Sequence, residues 1–319
     1  MNTNYILIVL GEPYSIFSEV IGKYFSKKQK FKKKIIIIGN ENLLTKQLKK
    51  LKYNFPINKI LSYKDAKKNK INLIDIKFKH NKIFDKISSK SNEYITNCFK
   101  KSLQIINSNK GKFILINGPV SKKTFLKKKY SGITEYLSEK TYSRNEVMLI
   151  YNHKLSVSPI TTHVPIKKVA GSINKQKIRS NVVALSDFYK TILKKQIRIA
   201  VLGLNPHCET TDKFSEEEKI IYPTIKYLKN AGIKIFGPFS TDTFFIKKNI
   251  DKYDLVIGMY HDQVLTPMKT IFNFNAINIT VGLPFIRISP DHGPNTEMMG
   301  KNLSDPSSFI YAMNFADNI

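Results

Sequence analysis

Residues 197–207 read IRIAVLGLNPH, and this stretch decides the fold class. An uninterrupted apolar run, Ile199 to Leu202, stops at Gly203 and passes into Asn205, Pro206 and His207. A run with no polar alternation suits a strand buried on both faces. The same design recurs in residues 5–13 (YILIVLGEP), 34–40 (KIIIIGN), 113–120 (FILINGPV) and 253–262 (YDLVIGMYHD). Between such runs lie segments with helical spacing, as in residues 216–232, EEEKIIYPTIKYLKNAG, with Gly232 as the stop. Strands alternating with helices predict an α/β fold with a largely parallel sheet. Asn205, His207, His261 and Asp262 crowd just past the strand ends, where open α/β sheets place their ligands.

Composition narrows the class further. A chain of 319 residues, 42% apolar, can bury a large core in one large domain or two, which excludes a disulfide-stapled miniprotein. Its two cysteines, Cys98 and Cys208, are far apart and supply neither a disulfide framework nor a CxxC metal knuckle, so a reducing cytoplasm is the expected location. No apolar run approaches the ~18 to 20 residues of a membrane span, and the N-terminal apolar run leads directly into Gly11-Glu12-Pro13 like a strand rather than a signal peptide. No membrane partner is expected. The net charge of +29 raises a nucleic-acid reading, but only Arg144, Arg179, Arg198 and Arg287 among the 53 basic residues are arginines. Base-reading surfaces rely on arginine forks, so a solvated lysine surface is the expectation and nucleic acid is not an expected partner. Such a field still draws small anionic substrates. Charge runs such as residues 25–34, FSKKQKFKKK, read as exposed faces.

Chemistry concentrates in the second half. His163 in ITTHVP, His207 in GLNPHC and His261 in MYHDQ each follow an apolar run and stand at a turn. Three neutral imidazoles suit a borderline divalent ion with positions left open for a substrate oxygen. Taken singly, each reads as an ordinary structural histidine. Lys269, Asn278 and Arg287 follow at short intervals, a set suited to a phosphorylated, carboxylate-bearing molecule; without further context they read rather as a surface lysine, a turn amide and a salt-bridged arginine. Residues 117–125, NGPVSKKTF, put Lys122 past a strand, but neither GxGxxG nor GxxxxGK[ST] occurs, so a nicotinamide would be held by other means.

In order along the chain, GLNPH, GPFSTDTFF, YDLVIGMYHDQ, INITVGLPFIR and DHG closely resemble the 4-hydroxythreonine-4-phosphate dehydrogenase family of vitamin B6 biosynthesis. The match is dense over residues 155–316 and thinner before, where GEP, INGPVSK and TEYL keep family order. The resemblance implies two α/β/α domains with a cleft between them, like isocitrate and isopropylmalate dehydrogenases. Its domains are expected at residues 1–130 plus 270–319, on the cofactor side, and 131–269, with the metal site and dimer interface. It implies NAD-dependent (or NADP-dependent) oxidation of 4-phosphooxy-L-threonine at C3 with loss of CO₂. One divalent ion, zinc, magnesium or cobalt, would be held by His163, His207 and His261, one of them from the other protomer of a homodimer. Substrate contacts fall on Thr134, Lys269, Asn278 and Arg287, and Asp242 or Lys122 is the proton acceptor.

Four departures from the family pattern bear on substrate and cofactor. Residues 11–20, GEPYSIFSEV, keep Glu19 but lose the glycines that allow close backbone approach. Ile133 stands where the family has a substrate-contacting histidine. The loop after His207 reads CETTDKFSEEE and is shortened, and Pro294 follows Asp291-His292-Gly293 where the family has threonine. Cys208 reads as a packed thiol or an extra soft ligand. Ile133 keeps open a threonate or erythronate 4-phosphate as substrate. A metal-dependent hydrolase, which would need no nicotinamide, is the reading from another class.

Overall fold

The apolar runs form strands buried on both faces. A computed structural model describes residues 3–27, 30–109, 111–127, 129–208, 215–273, 275–290 and 293–319. Its strands, in chain order, are β1 Tyr5–Val9, β2 Lys34–Gly39, β3 Ile57–Ile60, β4 Ile71–Asp75, β5 Phe113–Asn117, β6 Val147–Tyr151, β7 Ser156–Thr161, β8 Ile199–Leu202, β9 Ile235–Phe239, β10 Leu255–Tyr260, β11 Ile277–Val281 and β12 Ile286–Pro290. The chain divides into two compact units, Met1–Ser143 with Leu283–Ile319, and Arg144–Gly282. No helix among the described residues is long and apolar enough to cross a membrane.

In the first unit the strand order is β3-β4-β2-β1-β5-β12, with every pair parallel. Ile6 to Val9 and Ile36 to Ile38 are fully buried, which explains why these strands show no polar alternation. By the two-residue period, Leu7, Val9, Ile36 and Ile38 share a face, and Ile95, Cys98 and Phe99 of the helix Asn92–Ser108 pack into the same cluster. Helices Phe17–Phe25 and Ser307–Asn318 meet through Phe17 and Phe309, ring centres 5.3 Å apart.

In the second unit the order is β11-β6-β7-β10-β8-β9. Strands β7, β10, β8 and β9 run parallel, and β6 lies antiparallel to both β7 and β11. Val157, Ala200, Leu202 and Val256 form its core with Val264, Leu265 and Met268 of the helix His261–Phe272.

Both crossings between units fall later than the sequence places them, at 143/144 and 282/283 rather than 130/131 and 269/270. Packing is the reason. Tyr136 of the helix Ile133–Thr141 lies against Phe99 and Phe125 of the first core, ring centres 5.6 and 5.3 Å apart. At the other crossing, Ala276 and Phe272 pack in the second core and β11 pairs with β6.

Candidate metal and substrate site

Four parallel strands of the second unit end on one edge, and each is followed by a reactive side chain. His163 follows β7, His261 follows β10 directly as the first residue of its helix, His207 lies in the turn after β8, and Asp242 in the short helix Thr241–Phe244 after β9. A parallel sheet puts all its carboxyl ends on one side, so residues remote in the chain become neighbours. The rings of His163 and His261 have centres 6.1 Å apart at an interplanar angle of 35°. Asp262 Oδ1 lies 2.6 Å from His261 Nδ1, and Asp242 Oδ2 lies 3.7 Å from His207 Nδ1. A hydroxyl hydrogen bond from Ser240, together with the nearby His207, holds the Asp242 carboxyl below its ordinary range.

The donor set fits a divalent ion in part. Two imidazoles on one tetrahedral ion, each nitrogen ~2.1 Å from the metal, have ring centres roughly 5 Å apart, about 1 Å closer than His163 and His261 stand here. With Nδ1 of His261 bonded to Asp262, its Nε2 is the nitrogen left for ligation, the usual arrangement of a carboxylate behind a metal-binding histidine. Among the described residues, no three His, Cys, Asp or Glu side chains converge closely enough within one chain to hold an ion. Two rings meet, and His207 stands with Asp242.

His207 and Cys208 both have left-handed backbones, φ +57° and +56°, a conformation that non-glycine residues adopt at a cost. Glu217, which sequence reasoning passed over, braces the turn that leads into them. Its buried carboxylate accepts from Leu204 N–H at 2.7 Å, Asn205 N–H at 2.8 Å and the Asn205 side-chain amide at 2.8 Å. Burial acts to raise its pKa, but the hydrogen bonds from Asn205 and Leu204 outweigh it and keep the carboxyl below its ordinary range. Gly203 has no room for a Cβ, which would meet Cys208 Sγ and lie 3.1 Å from Glu217 Oε1. The sulfur of the half-buried Cys208 packs against Gly203. Residues 209–214 of the shortened loop, and Asp291 and His292, lie outside the described residues.

The expected substrate residues divide into groups. In the first unit, Arg287 of β12 is 1% exposed; its Nε donates to Asn117 Oδ1 at 2.8 Å and its NH1 to Thr134 Oγ1 at 3.2 Å. Burial pushes the guanidinium down to about 9, opposed by the charge of Glu135, and it stays protonated at neutral pH. Asn117 goes unnoticed in the sequence, because a strand-end amide facing a buried arginine has no signature there. Ile133, beside Thr134, packs partly buried against the first core. Lys122 is exposed in the turn after β5.

In the second unit, Lys269 and Asn278 do not join the histidines. Lys269 is roughly 12 Å along its helix from His261 at 1.5 Å per residue. Asn278 is level with Ile150 and, through it, with Val157, so it sits roughly 13 Å short of the end of β7 at Thr161. Its Oδ1 is buried without a hydrogen-bond partner.

The altered N-terminal loop turns its large side chains inward. Tyr14, Ile16 and Phe17 are all buried, and Tyr14 stands edge-on to Phe78 at 5.9 Å. Gly11 keeps a positive φ of +69° where a Cβ would lie 3.0 Å from Gly118 O. Glu19 is structural: it accepts from Ser304 N–H at 2.6 Å and Asn302 N–H at 3.1 Å and pairs with Lys23 at 3.0 Å. Glu12 is buried with an unpartnered Oε2, and burial raises its pKa to about 7 against the Tyr14 N–H, which donates to Oε1 at 3.4 Å. A carboxyl raised from 4.5 in the unfolded chain favours folding while protonated, and that contribution is lost as pH rises from 4.5 through 7. The cost above pH 7 is about 3 kcal/mol. Glu12→Gln is therefore expected to gain stability relative to the unchanged protein between pH 5 and pH 8, measured by urea unfolding. A difference that stays constant across that range would show that Glu12 does not titrate upward.

The family profile described as "Pyridoxal phosphate biosynthetic protein PdxA" matches residues 31–316. The chain belongs to the PdxA family. It is 36% identical over 318 residues to a 4-hydroxythreonine-4-phosphate dehydrogenase of Sulfurihydrogenibium sp. (strain YO3AOP1), covering 98% of this chain and 97% of that one. It is 29% identical over 301 residues to a D-threonate 4-phosphate dehydrogenase of Salmonella typhimurium, covering 92% of each. Among solved structures, 4-hydroxythreonine-4-phosphate dehydrogenase of Klebsiella pneumoniae superimposes with a TM-score of 0.84 at 25% identity, over 98% of both chains. An isocitrate dehydrogenase of Methylococcus capsulatus shares the fold at a TM-score of 0.50, over 98% of this chain and 84% of that one. The α/β architecture read from the apolar runs is thus the PdxA architecture, related to that of the isocitrate-type enzymes.

Proposed function

We propose that this PdxA-family chain oxidises 4-phosphooxy-L-threonine at C3 with NAD or NADP, and that the resulting β-keto acid loses CO₂ to give 3-amino-2-oxopropyl phosphate for pyridoxal 5'-phosphate synthesis. The observation that carries this reading is the gathering of His163, His261, His207 and Asp242 at the carboxyl ends of four parallel strands. Relatives named as dehydrogenases of phosphorylated hydroxy acids support it.

A divalent ion, when bound, supplies Lewis acidity toward a hydroxyl or carbonyl oxygen, and a nicotinamide supplies the hydride acceptor. His163, His207 and His261 would hold the ion, with Asp262 orienting His261. Asp242, beside His207, or Lys122 would take the C3 hydroxyl proton. Lys269, Asn278, Arg287 and Thr134 would bind the anionic ends and hold C3 in place, which makes the transfer nearly intramolecular. The separation of Lys269 and Asn278 from the histidine edge supports completion of each site by a second copy of the chain.

The test is NADH formation and CO₂ release from 4-phosphooxy-L-threonine with Mg²⁺, Zn²⁺ or Co²⁺ added. No turnover with any of the three ions, with either nucleotide, would reject the assignment. A specific observation supports a second substrate: Ile133 packs against the first core where the family pattern is a substrate-contacting histidine, and a threonate 4-phosphate carries a neutral hydroxyl in place of the amino group of 4-phosphooxy-L-threonine. Ile133→His is expected to shift the ratio of kcat/KM for the two substrates about tenfold toward 4-phosphooxy-L-threonine, the equivalent of one hydrogen bond of ~1.4 kcal/mol. An unchanged ratio would remove Ile133 from substrate choice.

A further inference from the structure

Gln263 ties together the ends of the strands that carry the candidate ligands. Its Oε1 accepts from Met259 N–H at 2.6 Å, and its Nε2 donates to the Gly203 carbonyl at 2.7 Å and to the Thr241 hydroxyl at 2.9 Å. The side chain is buried. Met259 leads into His261, Gly203 begins the turn that carries His207, and Thr241 precedes Asp242. One amide therefore spans three segments that sequence order keeps apart.

The arrangement has a physical logic. Strands β8 and β10 are paired in parallel as far as Val201 and Ile257. Beyond that point a carbonyl on one strand and an N–H on the other need partners, and a primary amide offers the same acceptor and donor as a peptide unit. Gln263 thus supplies the next rung of the ladder from a side chain. Gly258 makes the approach feasible, since a Cβ there would lie 3.0 Å from Gln263 Oε1 and crowd Val264. The Met259 carbonyl accepts from the Thr161 hydroxyl at 2.7 Å, which attaches the strand before His163 to the same rung. Other side chains fail here. Methionine leaves a buried N–H and C=O unpaired, glutamate loses the donors, and asparagine is one methylene short.

We propose that Gln263 is a positioning residue: it sets the mutual placement of the loops bearing His207, His261 and Asp242, and through them the affinity for a divalent ion. The ion-affinity part rests on the reading of the histidines as ligands; the placement part rests on the hydrogen bonds alone.

The experiment compares the full-length protein with Gln263→Met and Thr241→Val. Co²⁺ binding is measured by calorimetry, and amide hydrogen exchange is measured on the metal-free protein. Gln263→Met is expected to weaken Co²⁺ binding roughly 10- to 100-fold, as loss of a ligand's supporting partner does. Exchange should rise together in peptides covering residues 203–208, 240–244 and 259–262. Thr241→Val removes one bond from outside the core and should weaken Co²⁺ binding about fivefold, the ratio equivalent to ~1 kcal/mol. Co²⁺ affinity within twofold of the unchanged protein in Gln263→Met overturns the proposal, as does faster exchange confined to the helix His261–Phe272. If Gln263→Met does not fold, unchanged affinity and exchange in Thr241→Val overturn it instead. Failure of the unchanged protein to bind Co²⁺ rejects the histidine reading, and the exchange pattern then decides the placement of the loops by itself.

Discussion

His207→Ala is expected to yield a folded protein that binds Co²⁺ or Zn²⁺ at least about a hundredfold more weakly and has lost kcat by roughly a thousandfold or more. The fold should survive because the imidazole is 71% exposed and contributes nothing to either core. The turn itself is held by Glu217, Leu204 and Asn205, all upstream or downstream of the deleted ring. Alanine at φ +57° is slightly less tolerated than histidine, so a fall of a few degrees in Tm is compatible with the prediction. Calorimetric titration with metal, beside a thermal melt, separates ligand loss from unfolding. A variant that melts normally, binds metal normally and turns over at the original rate would show that His207 is a loop histidine and nothing more.

Arg287→Lys carries the second large effect, for a different reason. The positive charge is kept, so any loss comes from the fork. Lysine cannot reproduce the paired donation of Nε to Asn117 and NH1 to Thr134, and the buried Asn117 carbonyl loses its partner. The expected stability cost is about 1–3 kcal/mol. If the guanidinium also grips the anionic end of the substrate, KM should rise tenfold or more with kcat less affected, the signature of lost uniform binding. The two measurements distinguish the roles of this residue. A lowered Tm with unchanged KM would make Arg287 a buried brace for Thr134 and remove it from the substrate site.

The residues that sequence reasoning found and those it missed differ in kind. His163, His207 and His261 announce themselves because each follows a strand-like run, and parallel strands deliver their carboxyl ends to one edge whatever their order in the chain, whereas Asp242 is picked out only by the family resemblance. Asn117 holds Arg287 in the first unit, and Glu217 and Gln263 brace the histidine-bearing turns of the second, yet an amide or carboxylate buried beside a turn looks like any other polar residue until its partners are visible. Lys269 and Asn278 show the converse. Their short spacing after His261 suggested one cluster, but a helix and a return strand carry them away from the histidine edge. The departures at Tyr14, Ile16 and Phe17 read in sequence as a loss of glycines, and in the structure they are inward-packed side chains.

From sequence alone came the α/β class, the parallel strands and the family, because runs buried on both faces and motifs in fixed order are properties of the chain as a string. The tertiary structure decided where the units cross, which rings meet, and which amides brace them. Those depend on the strand order β11-β6-β7-β10-β8-β9 and on burial. A hydrogen bond's partner is chosen by distance through space and by the absence of competing water, and neither is written in residue order.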